Sequence, residues 1–185
     1  MRETLSLYKG HIMKSDSLRD KIVLAVLLGI IAGIICAVTK LGWEVPFPAR
    51  TALRDATNPP QQILQQLGFS HNFTHLSYFY SGFPRPIVSF IMHFGFSVTF
   101  TVLYCILAEF KSGITLWQGA IYGLVIWFVF HVVLLPICGT IPAPWDQPLH
   151  EHFSEITGHM FCFWAAELAR FALRVKLTGQ PVPAH

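Results

Sequence analysis

The stretch HFSEITGHMFCFWAAELARF, residues 152–171, sets a carboxylate, Glu155, four residues before an imidazole, His159. On a helix that spacing puts the two groups one turn apart on one face. Two more histidines, His93 and His131, lie inside apolar stretches that hold no acidic or basic residue. Histidine with carboxylate is the common donor set for Zn²⁺, Mn²⁺ or Fe²⁺. A pair of imidazoles on facing helices can instead clasp a haem. With neither bound, the same side chains form a titratable group near pH 6, where the unperturbed histidine pKa lies. Spacing does not choose among the three.

The elements that carry these groups belong to a membrane. Of 185 residues, 53% are hydrophobic and 12% charged, against roughly 25% charged in a soluble domain. Four stretches approach the roughly 20 apolar residues needed to cross a hydrocarbon core: Ile22 to Val38, Ile87 to Ala108, Trp117 to Ile137 and Phe153 to Ala169. The fourth is the least hydrophobic, and the alternative for it is a helix lying on the surface. Its large apolar residues, among them Ile156, Met160, Phe163 and Leu168, encircle the helix instead of forming one stripe, which favours a span. The first stretch follows basic residues as a signal peptide would. Its apolar core is long and no small-x-small site precedes Lys40, so it reads as an uncleaved span.

The expected fold is all-α: a four-transmembrane-helix bundle with Pro-rich periplasmic loops. One membrane domain, 22–176, holds a periplasmic loop at 43–86 and lies between an N-terminal arm, 1–21, and a tail, 177–185. Lys9, Lys14, Arg19 and Lys21 at one end, Arg170, Arg174 and Lys176 at the other, and Lys111 in the second turn place both termini in the cytoplasm. The loop from Gly139 to Glu151 has no Lys or Arg, whereas the long loop carries Arg50, Arg54 and Arg85 against the trend. Its segment NPPQQILQQLGF reads as a short helix entered through Pro59 and Pro60 and stopped near Gly68.

On this frame each histidine is six residues inside the outer end of its span, so His93, His131 and His159 share a depth of about 9 Å. Glu155 lies one turn above His159, and Glu44, just past the first span, hangs over the same place. Polar groups in hydrocarbon face the bundle interior and one another, so the five are expected to form a metal or proton site. The alternative is that each histidine hydrogen-bonds a neighbouring helix separately. Glu109 and Glu167 make a second, cytoplasmic acidic layer, with Glu167 one turn before Arg170. Cys36, Cys105, Cys138 and Cys162 form no C-x-x-C pair and read as small apolar residues. Gly29 and Gly33 form a G-x-x-x-G that serves either self-association or packing within the chain.

WEVPFPAR, LAEF followed by LWQG, FVFH and SEITGH with FW behind it together resemble the YagU-like inner-membrane proteins of bacteria, from about Gly29 to Arg174. The resemblance implies a small multi-spanning inner-membrane protein that contributes to acid survival, and implies no defined molecular activity. Positions matching its pattern are Glu44, His93, Glu109, Trp117, His131, Glu155, His159 and Glu167. No nucleotide loop or nucleophile elbow is present, which leans against the common enzyme classes. The expected partner is the lipid bilayer, not nucleic acid, with a homo-oligomer left open. Two functions follow: a non-enzymatic protein of acid homeostasis, or a metal or haem protein with redox or hydrolytic activity.

Overall fold

The computed structural model describes residues 17–80 and 82–180. Lys9, Lys14 and the rest of the arm up to residue 16 lie outside it, as does the tail from 181. The chain is mostly helical: α1 (Leu18–Glu44), α2 (Ala52–Asp55), α3 (Pro59–Gln66), α4 (His71–Thr74), α5 (Ile87–Phe110), α6 (Ala120–Trp127), α7 (Leu135–Ile137) and α8 (Leu149–Thr178). A π-helical segment, Phe128–Leu134, joins α6 to α7.

Helix α1 starts where the Ser17 hydroxyl accepts from the Asp20 amide at 3.1 Å, an N-cap. It runs two turns beyond Val38, so Lys40 and Glu44 are helical and Glu44 is its last residue, not a residue beyond it. In the loop between α1 and α5, α3 begins as expected at Pro59, behind a capping box in which Asn58 and Gln61 satisfy each other's amides. The all-α expectation needs one correction, because β1 (Ser77–Tyr80) and β2 (Phe83–Pro86) pair antiparallel, with Ser77 opposite Pro86. Aromatic residues favour the pleat, Gly82 turns the chain at φ +79°, and a two-stranded ribbon is all edge, where proline is tolerated.

Among the described residues, three helical stretches are long and apolar enough to cross a membrane: Leu18–Glu44, Ile87–Phe110 and Ala120–Ile137. The last is not a regular helix. Pro136 has no N–H to return to the carbonyl of Val132, and the ladder ahead of it opens into the π turns that carry His131. Such turns recur at functional sites.

Helix α1 lies centrally, against α5 on one side and α8 on the other, and α8 also packs on α6. Close approach depends on glycine. A Cβ at Gly29 would stand 2.5 Å from Val102 Cα, and one at Gly33 2.6 Å from Val98 Cα, so the G-x-x-x-G seats α5 within the chain. Gly123 opens the α6–α8 contact in the same way at the His159 carbonyl. The core between these helices gathers Leu24, Leu28, Tyr104, Tyr122 and Phe163. Cys36 and Cys162 are not separate apolar residues there: a disulfide joins them across α1 and α8, while Cys105 and Cys138 are free. On the outside, Leu27, Ile31, Ile34 and Val38 of α1 are exposed, a surface that suits hydrocarbon and not water.

Gly29→Ala should therefore overpack the α1–α5 seam, at a cost of about 1–3 kcal/mol, whereas Gly42→Ala, with nothing within 4 Å of its added Cβ, should not destabilise. Thermal unfolding of both variants in detergent checks this, and equal melting temperatures would mean that the seam yields.

Candidate functional site

One carboxylate collects the polar groups at the end of the bundle where α1 ends and α8 begins. Glu155 Oε2 lies 3.0 Å from Lys40 Nζ, 3.6 Å from His131 Nε2 and 3.5 Å from His159 Nδ1. Its other oxygen, Oε1, accepts from Arg50 at 3.4 Å. Lys40 also pairs with Glu44 one turn along α1, and Arg50 reaches Glu44 at 3.8 Å and Asp55 at 3.1 Å. The rings of His131 and His159 meet edge to face with centroids 5.0 Å apart. Burial penalises the charged Arg50 guanidinium, and Glu155, Glu44 and Asp55 outweigh that, raising its pKa above the ordinary arginine value.

The motif SEITGH accounts for this convergence residue by residue. The Ser154 hydroxyl donates to the Phe47 carbonyl at 2.5 Å and ties the Pro-rich WEVPFP turn to α8. Trp43 helps, stacking on Phe47 with centroids 4.5 Å apart and lying 4.8 Å from the ring of Phe161. Gly158 leaves room for the Lys40 stem: a Cβ there would come within 2.8 Å of Lys40 Cδ and 3.0 Å of its Cε. His159 Nδ1 donates to the Glu155 carbonyl at 2.7 Å. Since a carbonyl only accepts, Nδ1 carries the proton and Nε2 keeps the lone pair.

His93 stands apart from this contact set. Its Nε2 donates to the Ala37 carbonyl of α1 at 3.1 Å, the separate helix-to-helix bond that was the alternative for each histidine. It nevertheless lines the same cavity of about 360 Å³ as Lys40, Arg50, His131, Glu155 and His159. Among the described residues, His131, Glu155 and His159 alone bring their donor atoms within 4.8 Å of one another. Two neutral imidazoles and a carboxylate suit Zn²⁺. Haem does not fit between His131 and His159, because their rings touch and leave no space for a macrocycle.

Charge reading from the sequence missed Lys40, Arg50 and Glu151. The first has a local signal, its place four residues before Glu44. The others have none: Glu151, 1% exposed at the start of α8, accepts from the Thr51 amide at 3.0 Å and pairs with Arg54.

At the other end of the bundle, Glu109 and Glu167 are each held by an arginine. Glu109 is held by Arg174 through two bonds of 2.8 and 3.0 Å, rather than by its neighbour in sequence Lys111. Glu167 receives Arg170 at 2.5 and 2.7 Å and the Tyr104 hydroxyl at 2.8 Å. Twelve residues of α8 separate Glu155 from Glu167, about 18 Å.

Compared with known proteins, residues 34–168 match the family described as protein of unknown function (DUF1440). The inner membrane protein YagU of Escherichia coli (strain K12) is 33% identical over 186 residues, covering 89% of this chain and 91% of that protein. No solved structure matches.

Glu155→Gln should destabilise the fold by about 3 kcal/mol or more, because it leaves two cations short of a counter-charge. Lys40→Met added to it should recover part of the loss. A double-mutant cycle on unfolding in detergent measures the coupling, and strictly additive losses would mean that the two side chains act independently.

Proposed function

This membrane protein belongs to the DUF1440 family, and from that premise we propose that it is a multi-pass protein of the bacterial inner membrane whose outer His/Glu network responds to acid. Helix α8 is read as a fourth span. It lies along α1 and α6, its charged groups Glu155, Glu167, Arg170 and Arg174 are buried and paired, and Phe161, Trp164 and Phe171 face outward. A charged residue that faces the bundle interior with a partner is tolerated in hydrocarbon. Basic residues at both ends favour cytoplasmic termini, with the loop 43–86 and the 360 Å³ cavity on the periplasmic side.

The observation that carries the reading is that Glu155 is shared by Lys40, Arg50, His131 and His159, which come from α1, the outer loop, the π segment and α8. At neutral pH uncharged imidazoles add no positive charge to this set. Acid adds up to two charges beside Lys40 and Arg50, against the same carboxylates, so repulsion grows and the hold on the outer loop weakens as pH falls. Glu109 and Glu167, each matched by an arginine, serve as anchors of the cytoplasmic side.

A second reading rests on the 4.8 Å grouping of His131, Glu155 and His159. These residues would hold a divalent metal such as Zn²⁺, Mn²⁺ or Fe²⁺, and bound there it would supply Lewis-acid chemistry to the cavity. His159 Nδ1, the atom 3.5 Å from Glu155 Oε2, is engaged with the Glu155 carbonyl, so ligation through that nitrogen would require it to give up this bond and its proton.

Reporter fusions after Lys176 should read as cytoplasmic and fusions near Pro144 as periplasmic; the reverse pattern would put the network on the inner side. Tryptophan fluorescence, with Trp43 beside the network, should show a transition as the protein is titrated from neutral pH into acid. In the His131→Gln/His159→Gln variant that transition should vanish or shift to lower pH. A double variant that titrates like the wild type would mean that these histidines are not the sensor.

A further inference from the structure

The oxygen at which the metal donors converge already has a cation on it. We propose that Lys40 is an exchangeable internal cation: its ammonium holds the place of a divalent ion at His131, Glu155 and His159, and transfers to Glu44 when such an ion enters. The proposal rests on the second reading above and concerns how that site is guarded.

Three features of the chain carry it. Lys40 Nζ lies 3.0 Å from Glu155 Oε2, the oxygen that also lies 3.5 and 3.6 Å from the two imidazoles, so an ion bound to that oxygen would meet the ammonium at close range. Like charges at that separation in a poorly hydrated site repel strongly, and the two occupants exclude each other. Lys40 also has a second carboxylate ready, because it pairs with Glu44 on the same face of α1 one turn away. Leaving Glu155 therefore does not strand the ammonium in an apolar site. Its path is built as well, since the stem passes over Gly158, where any side chain would press on Cδ and Cε.

Arg50 cannot play the same part. It approaches the opposite oxygen, Oε1, at 3.4 Å and is held on its far side by Asp55. It stays as the counter-charge to Glu155 whichever cation occupies Oε2.

The exchange makes the site selective. A cation must displace a tethered ammonium, so weak binders are rejected and a divalent ion enters only at the expense of the Lys40–Glu155 bond, loosening α1 from α8 at their outer ends. Metal entry and release of the outer helix contact thus become one event, and the affinity is set by how well Glu44 receives the displaced group.

The test is Co²⁺ titration of the full-length protein in nanodiscs, read by visible absorption of the bound ion and by calorimetry. Wild type should bind weakly. Lys40→Gln should bind one Co²⁺ per chain at least tenfold more tightly, Lys40→Arg should stay near wild type, and His159→Ala added to Lys40→Gln should abolish the gain. Glu44→Gln in the otherwise native chain should weaken binding severalfold, because the displaced ammonium loses its receiver; this variant keeps the test decisive should Lys40→Gln not fold. Equal Co²⁺ affinity in wild type and Lys40→Gln would overturn the exchange while leaving the metal site standing. No Co²⁺ bound by any variant would overturn both.

Discussion

A charge buried among membrane helices has to be answered by another charge of the same protein. Water is absent to do it, and the cost of leaving one partner alone is several kcal/mol. Glu155 is the point at which that constraint is sharpest. Once a carboxylate sits in α8 with 8% of its side chain exposed, a lysine must come down α1, an arginine must fold back from the loop, and the third helix must deliver His131. The glycines follow from the same demand: Gly158 clears the lysine's path and Gly123 brings α6 against the backbone of His159. An ion network of this kind adds little net stability compared with an apolar core of the same shape. It fixes which helices meet and in what register.

The two carboxylate layers answer the constraint differently, and the difference assigns them different work. Glu109 and Glu167 each have an arginine fork on them, and planar bidentate pairs of this sort are strong and always charged. They hold one arrangement. Glu155 is shared instead among an ammonium, a guanidinium and two imidazoles at 3.0 to 3.6 Å, all on the wall of a cavity. Two of those four partners are imidazoles, which can take up a proton, and one has an alternative carboxylate. A shared carboxylate with several partners of similar distance can redistribute its contacts without losing them all. The Glu109 and Glu167 layer, with one arginine per carboxylate, cannot.

How far the sequence discloses this depends on the range of each interaction. The apolar stretches that become α1, α5 and the third helix are legible because crossing hydrocarbon requires a long uncharged run. Glu155 and His159 are legible as a pair because four residues make one helical turn. Lys40 carried the same local signal relative to Glu44, but a basic residue near the end of a span is ordinarily an interfacial anchor, and its inward course depends on Gly158 in another helix. Arg50 is 105 residues from Glu155, and no periodicity links them. The Cys36–Cys162 disulfide is silent in sequence for the same reason: two helices pack small residues at a crossing, and only the crossing shows that both are cysteine. Equal depth drew His93 into the cluster. Depth along a helix says nothing of the direction around it, and His93 turns to the Ala37 carbonyl instead.

The π turns in the third helix connect these observations. A regular helix advances about 100° per residue, so the direction of a side chain is set once the helix is seated against its neighbour. Gly123 seats α6 firmly on α8, which would fix every later residue of a regular helix from there. Pro136 interrupts that inheritance. By depriving Val132 of its amide partner it opens the ladder over Phe128–Leu134, and His131 falls within the opened turns. The aim of His131 toward Glu155 is thereby separated from the packing of α6, so the close-packed seam does not by itself fix where the imidazole points. The response to a proton or an ion proposed for His131 needs that freedom, and a proline five residues downstream supplies it while the Gly123 contact keeps α6 on α8.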